Sequence, residues 1–495
     1  MEPPSHGDNN IRSAIFPGKR RSGRRRPTAE RLNGKRFWRS LCCRRKARGI
    51  AMPPHHPARP NGRSHPMAVR ATDVYIVIPP DDMPVAAAQA GPDSHGNEGG
   101  GMRPTSVWKR QKAFLHVALG DRGWRGDLRR RDRGAMAAPM ASAAAVSGSR
   151  FTGAVRTIEA LDLLLVDDPS QADIDALEAA GATVIPNTLL TLVEPSRPAA
   201  GAATPADRSW HLGKIKAEAA FGKGLTGRGV TVGVLDTGID SGHSEFEDIA
   251  ATFMEFDANG RARAGTPTRD FEKHGTHVCG LLAGKTLGLA RGCRLKVAAV
   301  LTGRDAGGRP VGTLAQVVRG YGWLLNRQTD ETGPMVINAS ISIGSQGQDL
   351  YSQIEKARFG QNVLTIAAIG NNGANGINRH TAPGHYDHVL GVGATDPDDA
   401  VAPFSDWGTH RGQAKPDLCA PGDPVLSAIP LNGYEHMRGT SMATPLVSAT
   451  AALLLEADAT LKDNVDRLIA RILTLTAPIA DKPRGGVGRL DLSRI

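Results

Sequence analysis

Three residues of this 495-residue chain have the types needed to activate a hydroxyl group. Asp236 closes the apolar run VGVLDTGID, His274 stands in the glycine-punctuated KHGTHVCG, and Ser441 stands in RGTSMATP, a stretch of small residues. A serine hydroxyl is a poor nucleophile near neutral pH. An adjacent imidazole must take its proton, and a carboxylate must hold that imidazole in the right tautomer. Each residue alone has an ordinary use, as a turn aspartate, a hydrogen-bonded structural histidine or a helix-capping serine. Together, in the order Asp, His, Ser, they follow one of the few chain orders in which acid, base and nucleophile converge. His243 and His277 read as structural.

Convergence requires that the three stand at the ends of elements. Strand-like runs occur at VTVGVLD (230–236), RLKVAAVL (294–301), MVINASIS (335–342), NVLTIAAIG (362–370) and HVLGVGAT (388–395), with a helical pattern at VGTLAQVVRGYGWLLNRQ (311–328). Nearly continuous apolar strands alternating with helices predict an α/β fold whose parallel sheet is covered by helices on both faces. Function in such sheets gathers at the C-terminal strand ends. Ser441 is expected to open a helix with Pro445 in its first turn.

On these three motifs, the chain from about Trp210 to its C-terminus resembles the subtilisin-like serine proteases, the subtilases. GNNG (370–373) resembles the family segment that supplies an oxyanion-hole asparagine, which would be Asn371. MVINASIS resembles the strand whose backbone pairs with substrate, so Ser340, Ile341 and Ser342 would bind it; LCAPG (418–422) and GVGRLDL (486–492) match late core segments. The resemblance implies a serine endopeptidase acting on proteins or peptides, in which Ser441 attacks, His274 shuttles the proton and Asp236 orients His274. The Ser441 N–H and Asn371 would bind the oxyanion. Ile369, Gly370, Asn372 and Thr381 would line the primary pocket, with no charged residue to select Lys or Arg, so apolar specificity is expected. The loop that carries calcium in secreted members is missing after the His motif, so neither metal nor cofactor is expected. Cys279 stands where alanine is usual, close enough to His274 for mercurials to inhibit, although a small core residue is the plainer reading. Ser342 replaces a usual glycine and Leu446 a frequent histidine. The alternative is a basic-tailed binding protein whose protease domain is inactive or secondary. A monomer is expected.

The remaining sequence is uneven. Residues 1–150 carry 29 Lys and Arg against 11 Asp and Glu, whereas the rest carries 32 against 38. Charge runs such as GKRRSGRRRP, separated by Pro/Gly/His-rich spacers, predict a basic, largely disordered region. A tail for nucleic acid or another anionic surface, and upstream sequence taken in by the choice of start codon, both stay open. DVYIVIP (73–79) is strand-like with no evident partner. Residues 151–196 read as a β-α-β unit resembling part of a subtilase propeptide, or else an uncleaved accessory subdomain. A linker follows at 197–209 and the catalytic domain at 210–495. On this division residues 1–150 are dispensable for activity. The five cysteines have no metal or disulfide spacing. No apolar run suits a signal peptide or a membrane span, so the default expectation is a cytoplasmic protein.

Overall fold

A computed structural model of the chain describes residues 73–80, parts of 111–119, and residues 154–192, 207–326, 333–343 and 351–495. The basic charge runs and most of the linker lie outside these residues. No described helix is long and apolar enough to cross a membrane.

The N-terminal unit is built from β1 (Val74–Ile78), β2 (Val155–Ile158), β3 (Leu163–Asp167), α1 (Gln171–Ala179) and β4 (Thr183–Pro186). Its antiparallel sheet has the order β2-β3-β1-β4. Ile76 faces both Leu165 and Ile185 in register, so DVYIVIP finds its partners on both sides. The boundary expected at residue 150 therefore does not bound this unit, since its central strand lies upstream of it. Ser170 and Asp173 start α1 with reciprocal side-chain-to-backbone bonds, which satisfies two N–H groups that a helix start otherwise leaves open.

The large sheet follows. Its strands are β6 (Thr231–Asp236), β7 (Ala251–Phe256), β8 (Arg294–Ala299), β10 (Met335–Ala339), β11 (Leu364–Ala368), β12 (Leu390–Thr395) and β13 (Leu418–Pro421). They lie in the order β13-β12-β11-β10-β6-β8-β7, each neighbouring pair parallel. Two short strands pair outside this sheet: β5 (Leu189–Thr191) runs antiparallel to β9 (Pro310–Thr313). Helices α2 (His274–Ala283) and α4 (Thr440–Ala457) cover one face and α3 (Leu314–Leu325) the other. Val336 belongs to the first core and Ile337, its neighbour on β10, to the second, which is why these strands read as unbroken apolar runs. The order reverses between β8-β6 and β10, where α/β sheets open a crevice at their C-terminal edge.

Two helix starts differ from expectation. The helix expected from residue 311 begins at Leu314, because Thr313 and Gln316 form a capping box and Val311–Thr313 are taken up by pairing with β5. Pro445 is not in the first turn of its helix: α4 is capped at Gly439 and starts at Thr440, so Pro445 is an interior residue.

The two units share a core. Ile76, Ile158, Leu163 and Leu165 pack with Val317, Val318, Tyr321 and Leu324 of α3. A Cβ on Gly322 would stand 2.4 Å from Ile158 Cγ2, so the closeness of the fit depends on glycine there. Asn187 accepts the Ala315 N–H at 2.8 Å and thus satisfies a donor at the start of α3. Ile158→Ala is expected to cost about 2–5 kcal/mol, as a large-to-small change in a packed core does. Chemical denaturation checks it, and a cost near zero would show that the two units do not share this core in solution.

Candidate active site

The three sequence motifs meet at the C-terminal edge of the sheet. Asp236 is the last residue of β6 and His274 the first of α2. Ser441 is the second residue of α4, not its cap. Leu235 pairs with Ala339, so Asp236 and Ser340 are the next residues along two adjacent strands. Helices α2 and α4, which begin at this edge, pack against each other on one face of the sheet.

His274 Nδ1–H donates to Asp236 Oδ1 at 2.7 Å, and both side chains are fully buried. Asp236 Oδ1 also accepts the Thr237 N–H at 2.7 Å. Thr237 Oγ1 donates to Asp270 Oδ1 at 2.6 Å and accepts the Gly275 N–H at 2.9 Å. Asp270 Oδ2 accepts the Thr276 N–H and hydroxyl, each at 2.7 Å. The start of α2 is thereby tied to the end of β6 through Thr237 and Asp270. Glycine makes the approach feasible, since a Cβ on Gly275 would stand 2.1 Å from Gly238 O. Burial alone would depress the His274 imidazole, but the charge and hydrogen bond of Asp236, with Glu272 and Asp270 beyond, turn the net shift upward from 6.5. Its Nε2 has no partner among the described residues.

Ser441 Oγ–H donates to Ser340 O at 3.4 Å. Pro445 has no N–H to offer the Ser441 carbonyl four residues earlier. That carbonyl instead accepts the Ser340 hydroxyl at 3.1 Å, and Ser340 Oγ accepts Asn338 Nδ2–H at 3.1 Å. Asn338 Oδ1 in turn accepts the Ser448 hydroxyl at 2.9 Å. A chain of buried polar groups thus fixes the first turns of α4 against β10.

Asn371 lies in the loop after β11. Its Oδ1 accepts the Thr440 N–H at 2.9 Å and the Thr440 hydroxyl at 3.0 Å. The amide is therefore oriented by the residue next to Ser441, and its Nδ2 is left buried without a partner among the described residues. The strand expected over 335–342 ends at Ala339, so Ser340, Ile341 and Ser342 follow it as irregular chain, and the Ile343 N–H bonds to Ala382 O at 2.8 Å. Ile369 is buried, and its carbonyl accepts the Thr381 N–H at 3.1 Å. Thr381 Oγ1 is 3.3 Å from the point a Gly370 Cβ would occupy, so Ile369, Gly370 and Thr381 are brought together, whereas Asn372 is exposed.

Several other residues have plain roles. His277 Nε2–H donates to Glu435 O at 3.0 Å, and burial pushes the ring down to about 3. His243 bonds to Glu245 N and Gly433 O. Cys279 is fully buried in α2, where burial pushes its thiol well above the ordinary range, so it is a core residue held as thiol. Among the described residues no three His, Cys, Asp or Glu side chains are grouped to hold a metal ion. Sequence reasoning missed Asp270 and Thr440. Asp270 stands four residues before His274 and Thr440 directly before Ser441, so proximity to a motif was the available signal.

The family model for the subtilase family matches residues 227–491. A subtilisin-like protease of Coccidioides posadasii is 35% identical over 283 residues, which cover 56% of this chain and 64% of that protein. Subtilisin BL of Lederbergia lenta is 36% identical over 253 residues, 50% of this chain and 83% of its own. An alkaline protease of Alkalihalobacillus alcalophilus is 35% identical over 253 residues, 50% of this chain and 59% of its own.

Removing the carboxylate that ties α2 to β6 leaves partly buried donors without acceptors. Asp270→Ala is accordingly expected to destabilise the protein by about 1–3 kcal/mol. Thermal or denaturant unfolding measures it, and an unchanged midpoint would show that the Thr237–Asp270–Thr276 bonds contribute nothing.

Proposed function

This chain belongs to the subtilase family of serine endopeptidases, and from that premise we propose that it hydrolyses peptide bonds with Ser441 as nucleophile, His274 as general base and acid, and Asp236 as the group that orients His274. The observation that carries the proposal is the fully buried 2.7 Å bond from His274 Nδ1 to Asp236, which leaves Nε2 open for the serine proton. With Nδ1–H held by the carboxylate, the neutral ring has its basic lone pair on Nε2. That nitrogen takes the proton as Ser441 Oγ attacks the scissile carbonyl and later returns it to the leaving amine. Asp236 stabilises the imidazolium formed between these steps.

The negative charge that develops on the carbonyl oxygen needs donors already in place. The Ser441 N–H at the start of α4 and Asn371 Nδ2, which has no other partner, are suited to the task. An extended peptide is expected to lie along Ser340–Ser342, with its primary side chain beside Ile369, Gly370 and Thr381. The alternative of a binding protein with an inactive protease domain is not favoured by a site that retains acid, base, hydroxyl and amide. The pairing of β5 with β9 supports the further reading that the N-terminal unit is a propeptide cut in the linker.

A fluorophosphonate probe is expected to label wild-type protein at Ser441, and Ser441→Ala to abolish both labelling and peptide hydrolysis. The wild type should also yield a mature chain beginning between Ala199 and Trp210, while Ser441→Ala stays full-length. Hydrolysis at the wild-type rate by the alanine variant would overturn the assignment. Asn371→Ala is expected to lower kcat by about 10²–10³ with little change in KM, the scale known for loss of the oxyanion asparagine of a subtilisin.

The base must be neutral to act, and His274 is held above 6.5. kcat/KM is therefore expected to rise with pH through an apparent pKa above that value. Asp236→Asn removes the raising charge, so the midpoint should move down while kcat falls by about 10⁴. A wild-type midpoint below 6.5 would contradict this account.

A further inference from the structure

Asn371 Oδ1 is fixed by Thr440, but the peptide groups on either side of Asn371 are fixed by another residue. Asp406 is fully buried in the segment SDWG, between β12 and β13. Its Oδ1 accepts the Asn372 N–H at 2.7 Å, and its own N–H donates to Gly370 O at 3.0 Å. The neighbouring backbone continues the contact: the Gly373 N–H donates to Phe404 O at 2.8 Å. The loop that carries Asn371 therefore rests on residues 404–406.

The fit is close. Gly370 has φ +118°, a conformation that favours glycine, and a Cβ there would stand 2.1 Å from Asp406 Oδ2. Oδ2 has no hydrogen-bond partner among the described residues. Burial pushes this carboxyl up to about 7, against the pull of the Asn372 N–H and of the Arg379 charge. The acceptor at Oδ1 meets a specific need, because an apolar side chain at 406 would leave the Asn372 N–H without its bond one residue from the oxyanion donor.

We propose that Asp406 is a positioning residue for the oxyanion hole: by holding the peptide groups before and after Asn371, it fixes where Asn371 Nδ2 points when the tetrahedral intermediate forms. This inference rests on the reading of Asn371 as the oxyanion donor. The donor must lie about 2.7–3.1 Å from the oxyanion, so a small displacement of the loop weakens a bond made chiefly in the transition state. Misplacement of about 1 Å can cost about 10²-fold in rate.

The test compares kcat and KM on one peptide anilide for the full chain carrying no substitution, Asp406→Ala, Asp406→Asn, Asn371→Ala, or Asp406→Ala with Asn371→Ala. Asp406→Ala is expected to lower kcat by about 10- to 100-fold with KM within about twofold, the split that marks loss of a transition-state interaction. Asp406→Asn keeps an acceptor at Oδ1 and should restore kcat to within about threefold of wild type. In the Asn371→Ala background, Asp406→Ala should cause no further fall, because its effect runs through Asn371. Thermal melting reports folding; should the alanine variant not fold, Asp406→Ser, whose hydroxyl is too short to replace the carboxylate, is read in the same way.

Unchanged kcat in Asp406→Ala, a loss confined to KM, failure of Asp406→Asn to rescue, or a loss that multiplies with that of Asn371→Ala would each overturn the proposal. An Asn371→Ala defect beside a silent Asp406→Ala overturns the proposal alone. A silent Asn371→Ala overturns the oxyanion reading and the proposal with it.

Discussion

The Asp236–His274 hydrogen bond sets the demands that the surrounding structure meets. Both groups are fully buried, and taking an ionisable pair out of water costs several kcal/mol per ion unless geometry and further bonds compensate. The compensation is local. Thr237 N–H bonds the same carboxylate oxygen, and Thr237 and Asp270 hold the end of β6 to the start of α2. Glycine at 238 and 275 lets the two backbones approach within a distance no side chain would allow. Parallel strands deliver the carboxylate at a sheet edge, where the reversal of strand order opens the crevice.

The other half of the site depends on what α4 leaves undone. Pro445 removes one helical bond, and the freed Ser441 carbonyl is taken by Ser340 at the end of β10. Ser340 also accepts the Ser441 hydroxyl through its carbonyl. The position of Ser441 is thus referenced to the chain that leaves the end of β10. Thr440 does the equivalent for Asn371, whose amide it orients by binding the oxygen. A defect that costs an ordinary helix stability here provides the joint between Ser441 and the sheet.

Much of this was legible in the sequence, for identifiable reasons. Asp236, His274 and Ser441 stand among small residues that suit close backbone approach, and the buried strands read as apolar runs because both sheet faces are covered. Element ends were less legible. The start of α3 depends on β9 pairing with β5, over a hundred residues earlier, and DVYIVIP acquires its partners only across a comparable separation. Ala251–Phe256 was not read as a strand because it is only partly buried and its sequence, ATFMEF, lacks a clean apolar run. Asp270, Thr440 and Asp406 were missed because single polar residues in loops look like turn formers until their distant partners are known.

The most direct measurement of the central claim is proton NMR of the His274 Nδ1–H in the intact protein in water. A proton held in a buried bond to a carboxylate exchanges slowly and resonates far downfield of ordinary amides. The expected result is one such signal that titrates with a midpoint above 6.5 and disappears in Asp236→Asn. Absence of the signal, or its persistence without Asp236, would contradict the account of how Ser441 is activated.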